Sequence, residues 1–258
     1  MRRPLPLLLA GLAACAATKP APEPVQDVLF VGNSLTYYND LPRIVEAMQA
    51  ASHPRRPIRV EMLASGGAKM ADHLREGRLA SRLAERRYDV VVLQDLGGFP
   101  MCDAAFPGCK DAVASVCEAA RSVRAAKARP ILFGTWQGRA DAQRALSAAT
   151  RDEARRCGLD VADVGAAMQR FVQRTGDVSP WTNDGHPSLA GSWIAAATLT
   201  RAIARSEAPV ASPPEPFCRL RWQGAELASR QPKPPAECEL PAEPVARAAV
   251  AAANAVSG

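Results

Sequence analysis

Ser34, His186 and Asp184 are the residues whose types and positions in the chain suit nucleophilic catalysis. Ser34 follows the apolar stretch Val28–Val31, and a Gly-Asn pair between them forces a tight turn. Ligands of open α/β sheets bind outside the carboxyl ends of the strands, so a serine there is a candidate nucleophile. Its hydroxyl needs a neighbouring base to take its proton. The sequence therefore predicts serine-nucleophile chemistry, provided that a histidine reaches Ser34.

His186 is the candidate base, because an imidazole accepts and returns protons near neutral pH. Asp184 lies two residues earlier, and residues i and i+2 of an extended segment lie on the same side, so its carboxylate can orient the ring. Asn183 is the alternative partner and would supply no charge. Simpler roles are a helix N-cap for Ser34 and turn positions for His186 and Asp184.

Four segments, in this order along the chain, carry a family resemblance. They are VGNSLT (Val31–Thr36), SGGAKMADH (Ser65–His73), VVVLQDL (Val90–Leu96) and DGHPSLAGSWIAA (Asp184–Ala196). They resemble the blocks of SGNH hydrolases, the GDSL esterase/lipase superfamily, most closely a bacterial branch with GNS for GDS and LQ for GxND. The resemblance implies a flavodoxin-like three-layer α/β/α sandwich and a serine ester hydrolase with Ser34, His186 and Asp184 as its triad.

The same resemblance implies an oxyanion hole formed by the Ser34 N–H, the Gly67 N–H and the side-chain amide of Gln94. Gln94 stands where the family usually has asparagine, and its alternative role is a polar end of a strand. The acid also departs from the family pattern. Many members place aspartate three residues before the histidine, and Asn183 occupies that position here, so the resemblance leaves Asp184 and Asn183 open as partners.

Apolar runs of strand length alternate with helical patterns, which predicts an α/β fold with a parallel sheet of about five strands. The predicted strands are Val28–Val31, Ile58–Met62, Val90–Leu93, Ile131–Phe133 and Val161–Val164. The predicted helices are Pro42–Ala51, Met70–Arg86, Asp111–Ala126, Ala140–Arg156 and Ser188–Arg205. His53 and His73 fall at a helix end and within a helix, and both are predicted to be structural.

The first residues predict export. Arg2 and Arg3 precede an apolar run of about ten residues, too short to span a bilayer and typical of a signal peptide. The run ends in LAAC, which resembles the lipobox of bacterial lipoproteins and implies acylation of Cys15; an ordinary signal peptide is the alternative. The predicted organisation is a signal peptide (1–14), a lipidated cysteine and tether (15–26), an SGNH hydrolase-like domain (27–207) and a Pro/Ala-rich appendage (208–258). The protein is expected in the bacterial cell envelope, anchored to a membrane, periplasmic or on the surface.

Cysteine content fits an exported protein. Six of the seven cysteines remain after Cys15, and an even number permits disulfides. Local pairs Cys102–Cys109 and Cys218–Cys238 would leave Cys117 with Cys157, which is one of about 15 pairings. The absence of CxxC spacing and the presence of only three histidines argue against a zinc site.

The charge of the chain and the proposed chemistry limit the classes of ligand that the protein is expected to bind. The net charge is +6, but no aromatic-interleaved basic patch is present, so nucleic-acid binding is not expected. The proposed chemistry requires no metal or organic cofactor. The expected substrate, by family analogy, is a small acyl ester or an acetylated glycan. The alternative is an SGNH-fold surface protein with a degraded site that binds a glycan or partner, favoured by the shifted acid and by Gln94.

Overall fold

Five parallel strands form the sheet of this protein, in a computed structural model that describes residues 23–101, 109–213, 220–222, 230–232 and 240–256. The strands are β1 (Gln26–Gly32), β2 (Ile58–Ala64), β3 (Val90–Leu93), β4 (Arg129–Gly134) and β5 (Asp160–Asp163). The helices are α1 (Ser34–Tyr37), α2 (Leu41–Ser52), α3 (Met70–Arg75), α4 (Arg78–Glu85), α5 (Cys109–Ala125), α6 (Ala140–Cys157), α7 (Val164–Thr175), α8 (Leu189–Ala204) and α9 (Glu243–Asn254). Two short antiparallel strands, β6 (Leu220–Trp222) and β7 (Arg230–Pro232), pair separately.

The sheet has the order β2-β1-β3-β4-β5. β1 therefore pairs with β2 on one side and with β3 on the other, with Val28 opposite Val60 and Val90 respectively. The connections that leave β1 and β2 run in opposite directions along the sheet, and this reversal is where open α/β sheets bind ligands. The order is that of the flavodoxin-like fold, so the predicted fold class is confirmed.

Both faces of the sheet are buried, which is why its strands are continuously apolar. Successive side chains alternate between the faces: Val28 and Phe30 pack into one cluster, whereas Leu29 and Val31 pack into the other. The first cluster includes α2, α7, α8 and α9, and the second includes α3, α4, α5 and α6. The result is a three-layer sandwich.

One predicted helix and one predicted strand need correction. The predicted helix Met70–Arg86 is divided into α3 and α4, because Gly77 adopts a left-handed φ of 66° between them. The predicted strand Val161–Val164 ends one residue earlier, and Val164 begins helix α7, which the sequence analysis missed. The Asp163 side chain caps α7 by accepting a hydrogen bond from the Ala166 N–H at 3.0 Å.

The final helix packs into the main core. Ala249, Ala252 and Ala253 of α9 are fully buried in the cluster that covers one face of the sheet. Small alanine side chains let α9 pack against α7 and α8. No helix within the described ranges is both long and apolar enough to cross a membrane.

A disulfide joins Cys117 of α5 to Cys157 at the end of α6, as predicted. Their Cα atoms are 4.7 Å apart and 40 residues apart in sequence. The bond ties the last turn of α6 to a neighbouring helix just before β5 begins. The side chains of the cysteines in the other two predicted pairs, and the leader with Cys15, lie outside the described residues.

Candidate active site

The turn after β1 places Ser34 at the carboxyl end of the sheet. Asn33 is the N-cap of α1: its Oδ1 accepts a hydrogen bond from the Leu35 N–H at 3.0 Å. The capping role proposed as the alternative for Ser34 therefore belongs to its neighbour. Asn33 Nδ2 also donates to Ala68 O at 2.9 Å, which ties this turn to the loop after β2. Ser34 is left at the first helical position, lining an open cavity.

The loop before α8 brings His186 to this serine, 152 residues later in the chain. His186 Nε2 lies 2.9 Å from Ser34 Oγ, a hydrogen-bond distance at which the hydroxyl can donate to the ring. The loop is held by a bridge between Trp181 and Pro187 and by the Thr182 N–H, which donates to His186 O at 2.8 Å. The structure thus brings together the nucleophile and base that the sequence predicted.

Asp184 is the acidic residue beside the imidazole. Its Oδ2 lies 2.9 Å from His186 Nδ1, but off the direction of a good hydrogen bond, so the contact is a bent one. The Thr182 hydroxyl and then His186 lower the pKa of Asp184 to about 2, which keeps the carboxylate ionised. Its side chain is 63% exposed. Asn183 is exposed at the edge of the same cavity.

Tyr38 is a part of the site that the sequence analysis missed. Its ring stacks on the His186 imidazole, with centroids 4.1 Å apart and planes inclined by 8°. The next residue, Asn39, has a left-handed φ of 54° and donates from Nδ2 to Pro187 O at 3.0 Å and to Ser192 Oγ at 2.9 Å. The segment after Ser34 therefore also fixes the histidine loop. The aromatic pair in LTYYND is the only sequence signal for this role.

A cavity of about 460 Å³ opens over the Ser34 hydroxyl. Leu35, Leu96, Trp136 and Trp181 supply apolar walls, and Gly67 lines it from the loop after β2. Trp136 Nε1 also donates to Gly185 O at 3.0 Å, which braces the histidine loop.

The predicted oxyanion hole is only partly assembled. Gly67, with a φ of 68°, and Ser34 both line the cavity, so the two residues predicted to supply backbone donors lie at the same site. Gln94 requires a correction, because its side chain is fully buried and does not line the cavity. Its Oε1 accepts hydrogen bonds from the Asn33 N–H at 2.9 Å and from Thr36 Oγ1 at 2.8 Å, and its Nε2 donates to Asp95 O.

The other two histidines lie away from the cavity. His53 is the C-cap residue of α2, and burial lowers its pKa. His73 in α3 is fully buried and contacts the backbone of Gly32. Among the described residues, no group of three or more His, Cys, Asp or Glu side chains is arranged to hold a metal ion.

Several solved structures have a fold similar to that of this protein. A protein of Slackia heliotrinireducens assigned to the SGNH hydrolases is 27% identical, with a TM-score of 0.53 over 70% of this chain and 100% of that chain. Axe2, an acetylxylan esterase from Geobacillus stearothermophilus, is 19% identical, with a TM-score of 0.52 over 70% of this chain and 93% of its own. TesA is 22% identical, with a TM-score of 0.53 over 70% of this chain and 99% of its own.

These matches define an α/β protein of the SGNH-hydrolase type. The resemblance to the SGNH hydrolase superfamily that the four segments indicated is confirmed. A scan against protein-family models finds no match, and neither does a search of curated protein sequences.

Proposed function

We propose that the protein is a serine ester hydrolase in which Ser34 is the nucleophile, His186 the general base and Asp184 the acid that orients the base. The 2.9 Å approach of His186 Nε2 to Ser34 Oγ is the observation that carries this proposal. The two groups come from opposite ends of the core sequence. Both residues line the open cavity, so a substrate in it can reach the Ser34 hydroxyl.

The reaction would proceed in two halves. As Ser34 Oγ bonds to the ester carbonyl carbon, its proton moves to His186 Nε2, and the carbonyl oxygen takes the negative charge. The Ser34 and Gly67 N–H groups would stabilise that oxygen. Collapse breaks the bond to the alcohol oxygen, which receives the proton from His186. Water then repeats the sequence on the acyl-enzyme and releases the acid.

The cavity has room for an ester substrate beside Ser34. Its volume of about 460 Å³ is within the range of sites that bind small organic ligands. Trp181 is partly exposed and lines the cavity, and indole rings pack well against the apolar faces of sugar rings. We therefore infer an acetylated glycan as the substrate class. The solved structures of this fold include an acetylxylan esterase, which supports the same choice.

The first test compares hydrolysis of p-nitrophenyl acetate by the wild type and by Ser34→Ala. We expect kcat/KM to fall by at least about 10³-fold, because nucleophile and base act as a unit. Ser122→Ala, on the exposed face of α5, is the matched control and should hydrolyse at the wild-type rate. Equal rates for wild type and Ser34→Ala would remove the enzymatic proposal.

A binding protein of the cell surface is the second candidate, favoured by the exposure of Asp184 and by the burial of Gln94 away from the cavity. It predicts that Ser34→Ala binds acetylated oligosaccharides as tightly as the wild type while neither turns them over. Isothermal titration with acetylated and deacetylated oligosaccharides separates the two proposals. Loss of the acetylated oligosaccharide over time in the calorimeter cell that contains the wild-type protein supports the hydrolase.

We also propose that acylation of Cys15 anchors the protein in the cell envelope, on the strength of the basic start, the short apolar run and the LAAC sequence. The expected result is incorporation of labelled palmitate and recovery in the membrane fraction, both lost in Cys15→Ser. Secretion of an unlabelled wild-type protein would contradict the anchor and leave the ordinary signal peptide.

A further inference from the structure

The peptide group between Gly32 and Asn33 is held at both ends by buried side chains. His73 Nε2 lies 2.9 Å from Gly32 O, and Gln94 Oε1 lies 2.9 Å from the Asn33 N–H. The carbonyl and the amide belong to one rigid plane. Both side chains are 0% exposed, and they come from α3 and from the end of β3. This plane directly precedes the Asn33–Ser34 peptide, and both Asn33 and Ser34 line the cavity.

The chemistry of His73 is fixed by this contact. A carbonyl oxygen only accepts hydrogen bonds, so Nε2 must carry the proton and donate it to Gly32 O. Burial lowers the pKa of His73, which keeps the ring neutral. Nδ1 is then a buried acceptor with no hydrogen-bond partner among the described residues. Leaving such an atom unpaired costs free energy, and an apolar side chain that only filled the space would avoid that cost.

Gln94 is fixed just as firmly. Its Oε1 also accepts from Thr36 Oγ1, and its Nε2 donates to Asp95 O, so the amide has one orientation. A Cβ on Gly32 would lie well within van der Waals contact of Gln94 Oε1 and Thr36 Oγ1. The Gln94 amide therefore packs directly against the backbone that it binds, and residue 32 has room only for glycine.

We propose that His73 and Gln94 are positioning residues that clamp the Gly32–Asn33 peptide and so aim the Ser34 hydroxyl and N–H at the substrate carbonyl. This inference rests on the proposed hydrolase function and assigns to it two residues that do not touch the cavity. A clamped plane fixes the direction in which the following peptide leaves it. The oxyanion donor is then in place before substrate binds, which is where preorganisation lowers a barrier.

The test pairs variants of equal size that differ only in the clamping hydrogen bond. His73→Gln keeps an N–H donor near the position of Nε2, whereas His73→Met removes it. Gln94→Met removes the acceptor, and Gln49→Met removes another buried glutamine, whose Nε2 binds Arg56 O at 2.9 Å at the opposite end of the molecule. Urea denaturation of every variant measures the loss of stability separately from the loss of activity.

With p-nitrophenyl acetate, we expect kcat to fall by roughly 10- to 100-fold in His73→Met and Gln94→Met while KM changes less than about threefold, because transition-state stabilisation alone is lost. His73→Gln should recover most of kcat. Gln49→Met should keep the wild-type kcat at a similar cost in stability. If Gln94→Met does not fold, the comparison of His73→Gln with His73→Met still tests whether the clamping hydrogen bond affects kcat.

Two outcomes would overturn the clamp: wild-type kcat in His73→Met or Gln94→Met, or an equal loss in His73→Gln and His73→Met. Failure of the hydrolase proposal looks different. In that case the wild type itself would be no faster than Ser34→Ala, and no variant would be slower than either.

Discussion

At the scale of single residues, the acid of the proposed triad is the unusual one. The Asp184 side chain is 63% exposed and its contact with His186 is bent. Water screens such a pair, so the carboxylate contributes less to the charged imidazole than a buried acid would. Orientation of the ring rests on other contacts as well: Tyr38 stacks on one face, and Asn39 holds the loop through Pro187 O.

Asp184→Asn tests how much the exposed acid contributes. Loss of a buried acid in a Ser-His-Asp triad costs about 10⁴-fold, and screening should limit the loss here to roughly 10- to 100-fold in kcat/KM. Steady-state hydrolysis of p-nitrophenyl acetate measures it, with Asn183→Ala for comparison. A larger loss in Asn183→Ala than in Asp184→Asn would identify Asn183 as the partner of the histidine.

The charge of Asp184 should be present over the whole pH range of an activity assay. The pKa of Asp184 is lowered to about 2, so the carboxylate is ionised throughout the range in which the protein would be assayed. The folded-state pKa lies below the ordinary value, and the contribution of the charge is therefore lost only as the pH falls towards 2.

At the scale of helices and strands, sequence periodicity located most elements but not the contacts between them. Each of the five strands was found, because strands buried on both faces are continuously apolar. Helix α7 was missed, although Val164, Ala167, Met168 and Phe171 recur at helical spacing and are buried. A glycine at its second position and a strand ending immediately before it concealed the pattern.

In the candidate site, too, the sequence predicted local features but not the contacts between distant segments. Ser34 and His186 were predicted because the motifs that contain them are local, and their residue types limit the chemistry. The direction in which a side chain leaves the end of a strand is set by packing. Gln94 was therefore placed in the oxyanion hole, whereas it lies beneath the turn. Tyr38 and α9 act through contacts with distant segments that no short motif records.

The disulfide between α5 and α6 should stabilise the fold without affecting the site. Closing 40 residues of chain contributes about 2–4 kcal/mol to the free energy of unfolding. Replacing Cys117 and Cys157 together by alanine should lower the urea midpoint accordingly. The kcat should not change, because Cys157 precedes the start of β5, at the end of the sheet opposite Ser34. A parallel loss of kcat in the folded variant would contradict this separation.

At the scale of the whole molecule, stability should depend on pH through a buried acid. Glu153 of α6 is 3% exposed, and burial, with a smaller effect from the charge of Asp95, raises its pKa to about 7. Burial also raises the pKa of Asp95 itself. Between the ordinary pKa of glutamate and about 7, the unfolded chain loses this proton while the folded protein keeps it. Stability therefore falls as the pH rises through this window.

Glu153→Gln should remove the part of this pH dependence that Glu153 contributes. A shift of this size corresponds to about 3 kcal/mol, so the variant should gain about that much free energy of unfolding, relative to the wild type, between pH 4.5 and pH 8. Urea denaturation at both pH values measures it. Glu118→Gln, on the exposed face of α5, serves as the control and should follow the wild type. Identical pH slopes for Glu153→Gln and the wild type would show that this carboxyl is not the group responsible.

The central claim is that the Ser34 hydroxyl is activated by His186 across the carboxyl end of the sheet. Reaction with a fluorophosphonate followed by peptide mass spectrometry tests it most directly, because only an activated serine attacks phosphorus rapidly. We expect a single adduct on the peptide that contains Ser34, formed far more slowly in His186→Ala and absent in Ser34→Ala. An unmodified Ser34, or an adduct formed equally fast in His186→Ala, would contradict it.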